Sequence, residues 1–399
     1  MNLSSLPYLF WGLLFIVFYA YLGYGVCLFI LVKIKRCFQH SALPSYDESN
    51  MPDVVFIVAA YNEEDYIEEK IKNCLQFDYP KEKIEFWFVT DGSSDRTALL
   101  VEKFPILPGQ TVKLFHSPAR KGKIAAVERV MAFVQAPITI FTDANTDVNA
   151  QAIKNIVRHY ADPKVGAVAG EKRIALGETG DATGAGEGIY WKYESLLKKW
   201  DSELYSTIGA AGELFSIRTE LYHHVPPDTL IEDFVMTMGI AMRGYKIVYE
   251  PDAYAVESSS ASISEELKRK IRIAAGALQA TLRLRGLLNP FRYGVLTFQY
   301  ISHRVLRWTL APLALPIIFL LNIYLASNGH IVYKTLMVCQ ICFYLFAMLG
   351  YIFERKQLKI KAFFVPYYFC MMNYAMYRGF FRLAGGRQSV VWEKAKRAA

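Results

Sequence analysis

From Tyr8 to Val32 the chain runs through an unbroken stretch without one charged side chain. Wound as a helix at ~1.5 Å per residue, that stretch is long enough to cross the ~30 Å hydrocarbon core of a bilayer. No single-domain soluble fold is built around such a segment, so the chain is expected to hold a retained membrane span. A secretory signal peptide would need a basic start, a shorter apolar core and a small-residue cleavage site. Here the start MNLSS is uncharged, and Lys33, Lys35 and Arg36 follow the run instead. The positive-inside rule then delivers the chain to the cytoplasm.

Apolar residues make up 53% of the chain and charged ones 21%, too greasy for one soluble domain and too charged for an all-membrane protein, so one soluble domain plus membrane segments is expected. The net charge of +8 is not spread evenly. Between Ser264 and Leu310 nine Lys or Arg face only Glu265 and Glu266, and that stretch runs straight into apolar sequence. The anionic face of a lipid bilayer is the partner this implies, and no nucleic acid. The six cysteines are scattered with no disulfide spacing, which implies a reducing compartment. Cys339 and Cys342 spell CxxC inside an apolar helix with no second pair, a setting for packed or lipid-facing thiols and not for a metal.

After a polar linker from Gln39 to Pro52, short β-branched or aromatic runs alternate with helical stretches. They read VVFIVAAY, a helix near Tyr66 to Gln76, IEFWFVTD, a helix near Thr97 to Phe104, VKLFHS, a helix near Lys123 to Val134, and ITIFTDAN. This rhythm predicts an α/β domain with a mainly parallel sheet. Ligands of such sheets gather beyond the carboxyl ends of strands, so the residues where each run stops are the ones of interest. No GxGxxG follows any strand, which argues against dinucleotide binding.

Beyond Ser260, Glu265 to Arg285 carries Leu267, Ile271, Ala275, Leu278 and Leu282 at helical spacing, an amphipathic helix for a membrane surface. Spans are predicted at about Val305 to Ala326 and Ile331 to Phe353. A further stretch, Ala362 to Phe381, is long enough to cross but contains Pro366 and Asn373. Crossing would also strand the basic tail (Arg382, Arg387, Lys394, Lys396, Arg397) outside, which favours a re-entrant or interfacial segment.

Three strand or helix ends carry chemistry. IEFWFVT ends in TDGSSD, placing Asp91 where a nucleotide base could be read, with Ser94 and Asp95 better suited to capping the next helix. ITIFT ends in DANT, and Asp143 and Asn145, two apart in an extended chain, would project to one side as oxygen ligands for Mg2+ or Mn2+ shared with a diphosphate. Asp147 reads as a cap for a helix from Ala150 to Tyr160. IEDF sets Glu232 and Asp233 together, one able to serve as general base with a pKa raised by its neighbour and by burial. A plain acidic helix start is the competing reading.

In their order, VAAYNEE, TDGSSD, TDAN, IEDF and a basic RKIR before membrane spans, these motifs resemble the membrane-bound family-2 glycosyltransferases, the branch containing poly-N-acetylglucosamine, hyaluronan and cellulose synthases. The resemblance covers roughly Val54 to Gln279. It implies a GT-A fold over 53–262, between an N-terminal transmembrane helix (1–36) with its linker (37–52) and interface helices (263–303) with a C-terminal membrane region (304–399). It implies that Tyr61, Asn62 and Glu63 hold a uridine together with Asp91, that Asp143 and Asn145 fill the metal position with Mg2+ or Mn2+, and that Asp233 is the catalytic base beside Glu232. Asn145 departs from the second carboxylate common there. Lys123, and Lys121 beside it, are candidates for the diphosphate. The family's (Q/R)xxRW signature is matched at the expected distance by Arg269 and Arg272 but without its tryptophan; the literal pattern, Arg304 to Trp308, comes much later.

The function implied is inverting transfer of a sugar from a UDP-sugar, UDP-GlcNAc or UDP-Glc favoured, to a growing polysaccharide, with or without export, at a bacterial-type inner membrane with the catalytic domain in the cytoplasm. The missing tryptophan keeps open single-sugar transfer to a membrane lipid acceptor. A catalytically inactive scaffold of a glycan-assembly complex is the alternative of another class. Export partner subunits are not identified by the sequence.

Overall fold

The computed structural model describes residues 5–38, 50–175, 182–258, 263–356 and 360–386. The tail from Arg387 and most of the linker lie outside the described residues. The chain divides into two compact units. One holds residues 5–33, 182–192 and 263–386; the other holds residues 34–38, 50–175 and 193–258.

The second unit is built on one sheet of strands β1 (Val54–Ala60), β2 (Ile84–Asp91), β3 (Thr111–Ser117), β4 (Ile138–Asp143), β5 (Thr146–Val148), β6 (Val165–Ile174), β7 (Leu214–Arg218) and β8 (Lys246–Glu257). Their order is β3-β2-β1-β4-β7-β6-β8-β5. β1 pairs in parallel with β2 and β4, β2 with β3, and β6 with β8; β7 runs antiparallel to β4 and β6, and β5 to β8. The mainly parallel sheet read from the strand–helix rhythm is what forms. All seven residues of β1 are buried, as a central parallel strand covered on both faces requires. One core layer joins Phe56, Val58, Phe86 and Ile140 to Ile67, Ile71 and Cys74 of the helix Ile67–Leu75.

Register decides which strand ends meet. Ala60 stands opposite Thr90, and Ala59 opposite Asp143. The carboxyl ends of β2, β1 and β4 therefore share one edge, carrying Asp91, Tyr61 and Asp143 side by side. Two local readings change. The chain does not stay extended through Asn145: β4 stops at Asp143, Ala144 and Asn145 form a turn, and β5 leaves to pair with β8. Asp147 lies on β5, not at a helix start, and the helix Ala152–Val157 has no side-chain cap.

Among the described residues, three helices are long and apolar enough to cross a membrane, Leu6–Phe38, Leu310–Ser327 and Ile331–Arg355. The middle one begins five residues later than its apolar sequence, because Thr309 leaves helical geometry at φ −126°, ψ −82° after a π-turn at Ile301–Val305. Ile263–Arg283 is helical. Lys361–Ala384 is one unbroken helix with Pro366 inside it, packing Gly379 against Ala274 and Ala275. Its Asn373 is buried and accepts a hydrogen bond from Tyr21 Oη at 2.8 Å. Of the basic residues after the first span, Lys35 donates to the carbonyls of Glu203 and Leu204, and Arg36 forms a two-pronged pair with the Glu203 carboxylate.

Candidate active site

Two loops are laced together where β1 and β2 end. Asn62, with φ +52°, donates its N–H to Ser93 Oγ and accepts at Oδ1 from Ser94 N at 2.8 Å. Glu63 N donates to Thr97 Oγ1, and Glu64 N to Asp95 Oδ2. Asn62 and Glu63 therefore shape the loop, and Tyr61 is the member of that trio lining the adjoining pocket. The arginine the sequence reading passed over, Arg120, lays its guanidinium over the Tyr61 ring at 3.8 Å.

Asp91 has a structural task as well. Its carboxylate accepts from Lys121 N at 3.0 Å and Gly122 N at 2.6 Å, drawing the loop after β3 back across the strand ends. That loop passes so close that a Cβ at Gly92 would lie 2.6 Å from Arg120 Cβ, and Gly92 sits at φ +67°, so glycine is needed there on two counts. The same loop delivers Lys123 to the start of the helix Lys123–Met131.

Lys123 is the hub. Its Nζ lies 2.7 Å from Asp143 Oδ1 and 3.1 Å from Glu232 Oε1. Gly212 fits between it and Asp233: a Cβ there would stand 3.2 Å from Lys123 Nζ and 3.4 Å from Asp233 Oδ2. Glu232 and Asp233 do open a helix, Glu232–Met242, but the residue before it makes no side-chain cap, and both carboxylates turn toward Lys123. Burial would lower the Lys123 pKa, yet Asp143, Glu232 and Asp233 together outweigh it and hold the ammonium charged. Asp143 is pushed up by burial, against the pull of Lys123, with Glu213 and Glu257 adding to the push. Asp233 is raised to about 7, by burial first and by Glu232 second.

Behind this cluster, Lys172, 2% exposed, pairs with both Glu213 and Glu257, another arrangement the sequence did not display. Lysine within the β6 run VGAVAGEKRI was its only signal. Among the described residues no group of three His, Cys, Asp or Glu side chains forms a ready-made metal cage. The oxygen chemistry nevertheless fits a hard divalent cation that completes its shell from a diphosphate: three carboxylates converge on a single ammonium, leaving negative charge in excess, and Asn145 follows Asp143 in the turn.

Arg269 and Arg272 lie on Ile263–Arg283 in the other unit, where Arg269 Nε pairs with Glu266 at 3.1 Å. The literal RVLRW copy is engaged within that unit too, Arg304 over the Trp308 ring and Arg307 Nε donating to the Ala20 carbonyl at 2.8 Å.

Residues 55–225, which hold the loops after β1 and β2 and the carboxylate that ends β4, match the family described as Glycosyl transferase family 2. That match covers the strands and loops from β1 through β7. It is similar to the poly-beta-1,6-N-acetyl-D-glucosamine synthase of Staphylococcus aureus (strain MSSA476), 27% identical over 247 residues, 60% of this chain and 58% of that protein. To the synthase of the same name from Staphylococcus epidermidis (strain ATCC 35984) it is 24% identical over 266 residues, 65% of this chain and 62% of that one. The chain thus spans about three fifths of the length of these curated relatives. The mannosyltransferase PcManGT from Pyrobaculum calidifontis, solved in complex with GDP-Man and Mn2+, shares the fold at a TM-score of 0.72 and 23% identity, over 96% of this chain and 99% of its own. The fold is GT-A.

Proposed function

We propose that this protein is a membrane-bound inverting glycosyltransferase that moves a sugar from a UDP-sugar onto the end of a growing polysaccharide. The observation that carries the reading is the convergence of Asp143, Glu232 and Asp233 on Lys123, with Asp233 raised to about 7 and Gly212 beside both Asp233 and the ammonium. A carboxylate so poised is half ionised near neutral pH, as a general base for an acceptor hydroxyl should be.

In this scheme the stacked Tyr61 and Arg120 form one wall for the uracil, with Asp91 and the Asn62–Glu63 loop fixing the pocket. Lys123 meets the diphosphate. Mg2+ or Mn2+ held by Asp143 with Asn145 would, when bound, neutralise charge on the leaving diphosphate. Asp233 takes the proton of the acceptor hydroxyl, and that oxygen attacks the anomeric carbon from the face opposite the diphosphate. The bond from the anomeric carbon to the phosphate oxygen breaks, its electron pair leaves with UDP, and the configuration inverts. Glu232 keeps Asp233 from ionising too early by like charge. The names of the staphylococcal relatives favour UDP-GlcNAc, with UDP-Glc next. Arg269 and Arg272 are proposed to serve the family's arginine role, and the domain is proposed to face the cytoplasm of a bacterial inner membrane, where nucleotide sugars are.

Transfer of a single sugar to a lipid is favoured by one observation, the isoleucine at 273 where processive members have tryptophan. Membranes containing the protein, incubated in turn with UDP-sugars and with GDP-mannose, separate the readings. UDP release with a polymer supports synthesis, UDP release with a one-sugar lipid supports the second reading, and no release of nucleotide from any donor ends both.

A further inference from the structure

The turn carrying Asp143 and Asn145 has an unusual foundation. Helix Ile67–Leu75 turns a stripe of Ile67, Ile71 and Cys74 to the core, and in the middle of that stripe stands Lys70, 1% exposed. Its ammonium donates to the Thr146 carbonyl at 2.6 Å and to Thr146 Oγ1 at 3.2 Å, over the Phe56 ring at 5.8 Å. One turn on, Asn73 brackets β5 from both sides of the amide plane, Nδ2 donating to the Val148 carbonyl at 2.8 Å and Oδ1 accepting from Val148 N at 3.0 Å. Thr146 passes the grip on, its Oγ1 donating to the Asp143 carbonyl at 2.9 Å.

An amphipathic helix of this kind would bury leucine or methionine at position 70 with no desolvation penalty, whereas burying a lysine amine carries one. The arrangement makes sense if what it fixes is the backbone of the turn. Among the described residues β5 pairs with β8 alone, and Lys70 and Asn73 hold the segment that follows Asp143 from its other side. The helix also begins at the opposite loop: Tyr66 N and Ile67 N both donate to the Glu63 carbonyl at 2.9 Å.

We propose that Lys70 and Asn73 are positioning residues for the metal, setting the Asp143–Thr146 turn from beneath and tying it to the Asn62–Glu63 loop. This rests on the function proposed above for Asp143. Outer groups that orient metal ligands commonly change metal affinity by about 10- to 100-fold when removed.

The test uses the full-length protein in detergent. Mn2+ binding in the presence of UDP is followed by the electron paramagnetic resonance signal of free Mn2+, and backbone amide exchange over 143–148 is measured without metal. Lys70→Met and Asn73→Ala should each weaken Mn2+ binding by about 10- to 100-fold, leave metal-free UDP binding within about threefold, and speed exchange at Val148. Lys72→Met, at an exposed side chain paired with Glu69, should change none of these. Should Lys70→Met fail to fold, Asn73→Ala carries the same comparison. Native Mn2+ affinity in the folded variants, with Asp143→Ala abolishing it, overturns this inference alone. If Asp143→Ala also binds Mn2+ normally, the metal role proposed for Asp143 falls as well.

Discussion

The Lys123 ammonium lies 2.7 Å from the Asp143 carboxylate, occupying one oxygen of the residue proposed to hold the metal. One positive charge thus stands among three carboxylates that would otherwise repel one another, and the donor complex must rearrange this charge balance. Lys123→Met should therefore destabilise the metal-free protein by ~3 kcal/mol, the scale for breaking a largely buried pair. It should also make Mn2+ raise the melting temperature more than in the native protein, because the cation supplies the lost charge. Thermal unfolding with and without Mn2+ checks this; an equal or smaller Mn2+ increment counts against it.

Asp143→Ala should abolish transfer and the response to divalent metal together, since it removes the carboxylate that ends β4. Activity titrated against Mn2+ tests the point. Surviving activity with an unchanged Mn2+ response would place the metal elsewhere.

Asp233→Asn preserves shape but accepts no proton, so turnover should fall by about 10^2 to 10^4 while UDP affinity stays within about threefold. In the native enzyme, turnover should rise with pH through about 7 as Asp233 ionises, and the variant's residual rate should lack that limb. Stability has the opposite sense. The folded value lies above the ordinary carboxylate value of ~3.9, so ionisation opposes folding, and stability is lost as pH climbs from near 4 through about 7. The variant should lack that component of the loss. Near-normal turnover in Asp233→Asn would shift the role of base to Glu232.

Asp91→Asn replaces a carboxylate that accepts from two backbone N–H groups with a side chain that presents an N–H of its own. Losing charge-assisted bonds of this kind costs about 1–3 kcal/mol, so UDP should bind about tenfold more weakly, with turnover at saturating donor changed little. Calorimetric titration with UDP decides, and native affinity would leave Asp91 without a part in donor binding.

Much of this protein is written locally in the chain. Long apolar runs mark three helices as candidate spans, and alternating strand and helix segments fix a mainly parallel sheet because side-chain period is a local property. Asp91 and Asp143 could be located at strand ends for the same reason, and Glu232 and Asp233 at a helix start. Asn145 shows where that logic stops. An alternating pattern assumes the strand continues, whereas the chain turns after Asp143 and β5 goes on to pair with β8.

What the sequence by itself determined, then, is the set of elements and which reactive residues stand at their ends, since both follow from hydropathy and backbone preference over a few neighbours. Only the tertiary structure decided that Lys123 meets Asp143 and Glu232, that Gly212 leaves room beside Asp233, that Arg120 covers Tyr61, and that Lys70 lies beneath the Asp143–Thr146 turn. Those partners are tens of residues apart in the chain, and their meeting depends on strand order, register and crossover connections, which no local pattern encodes.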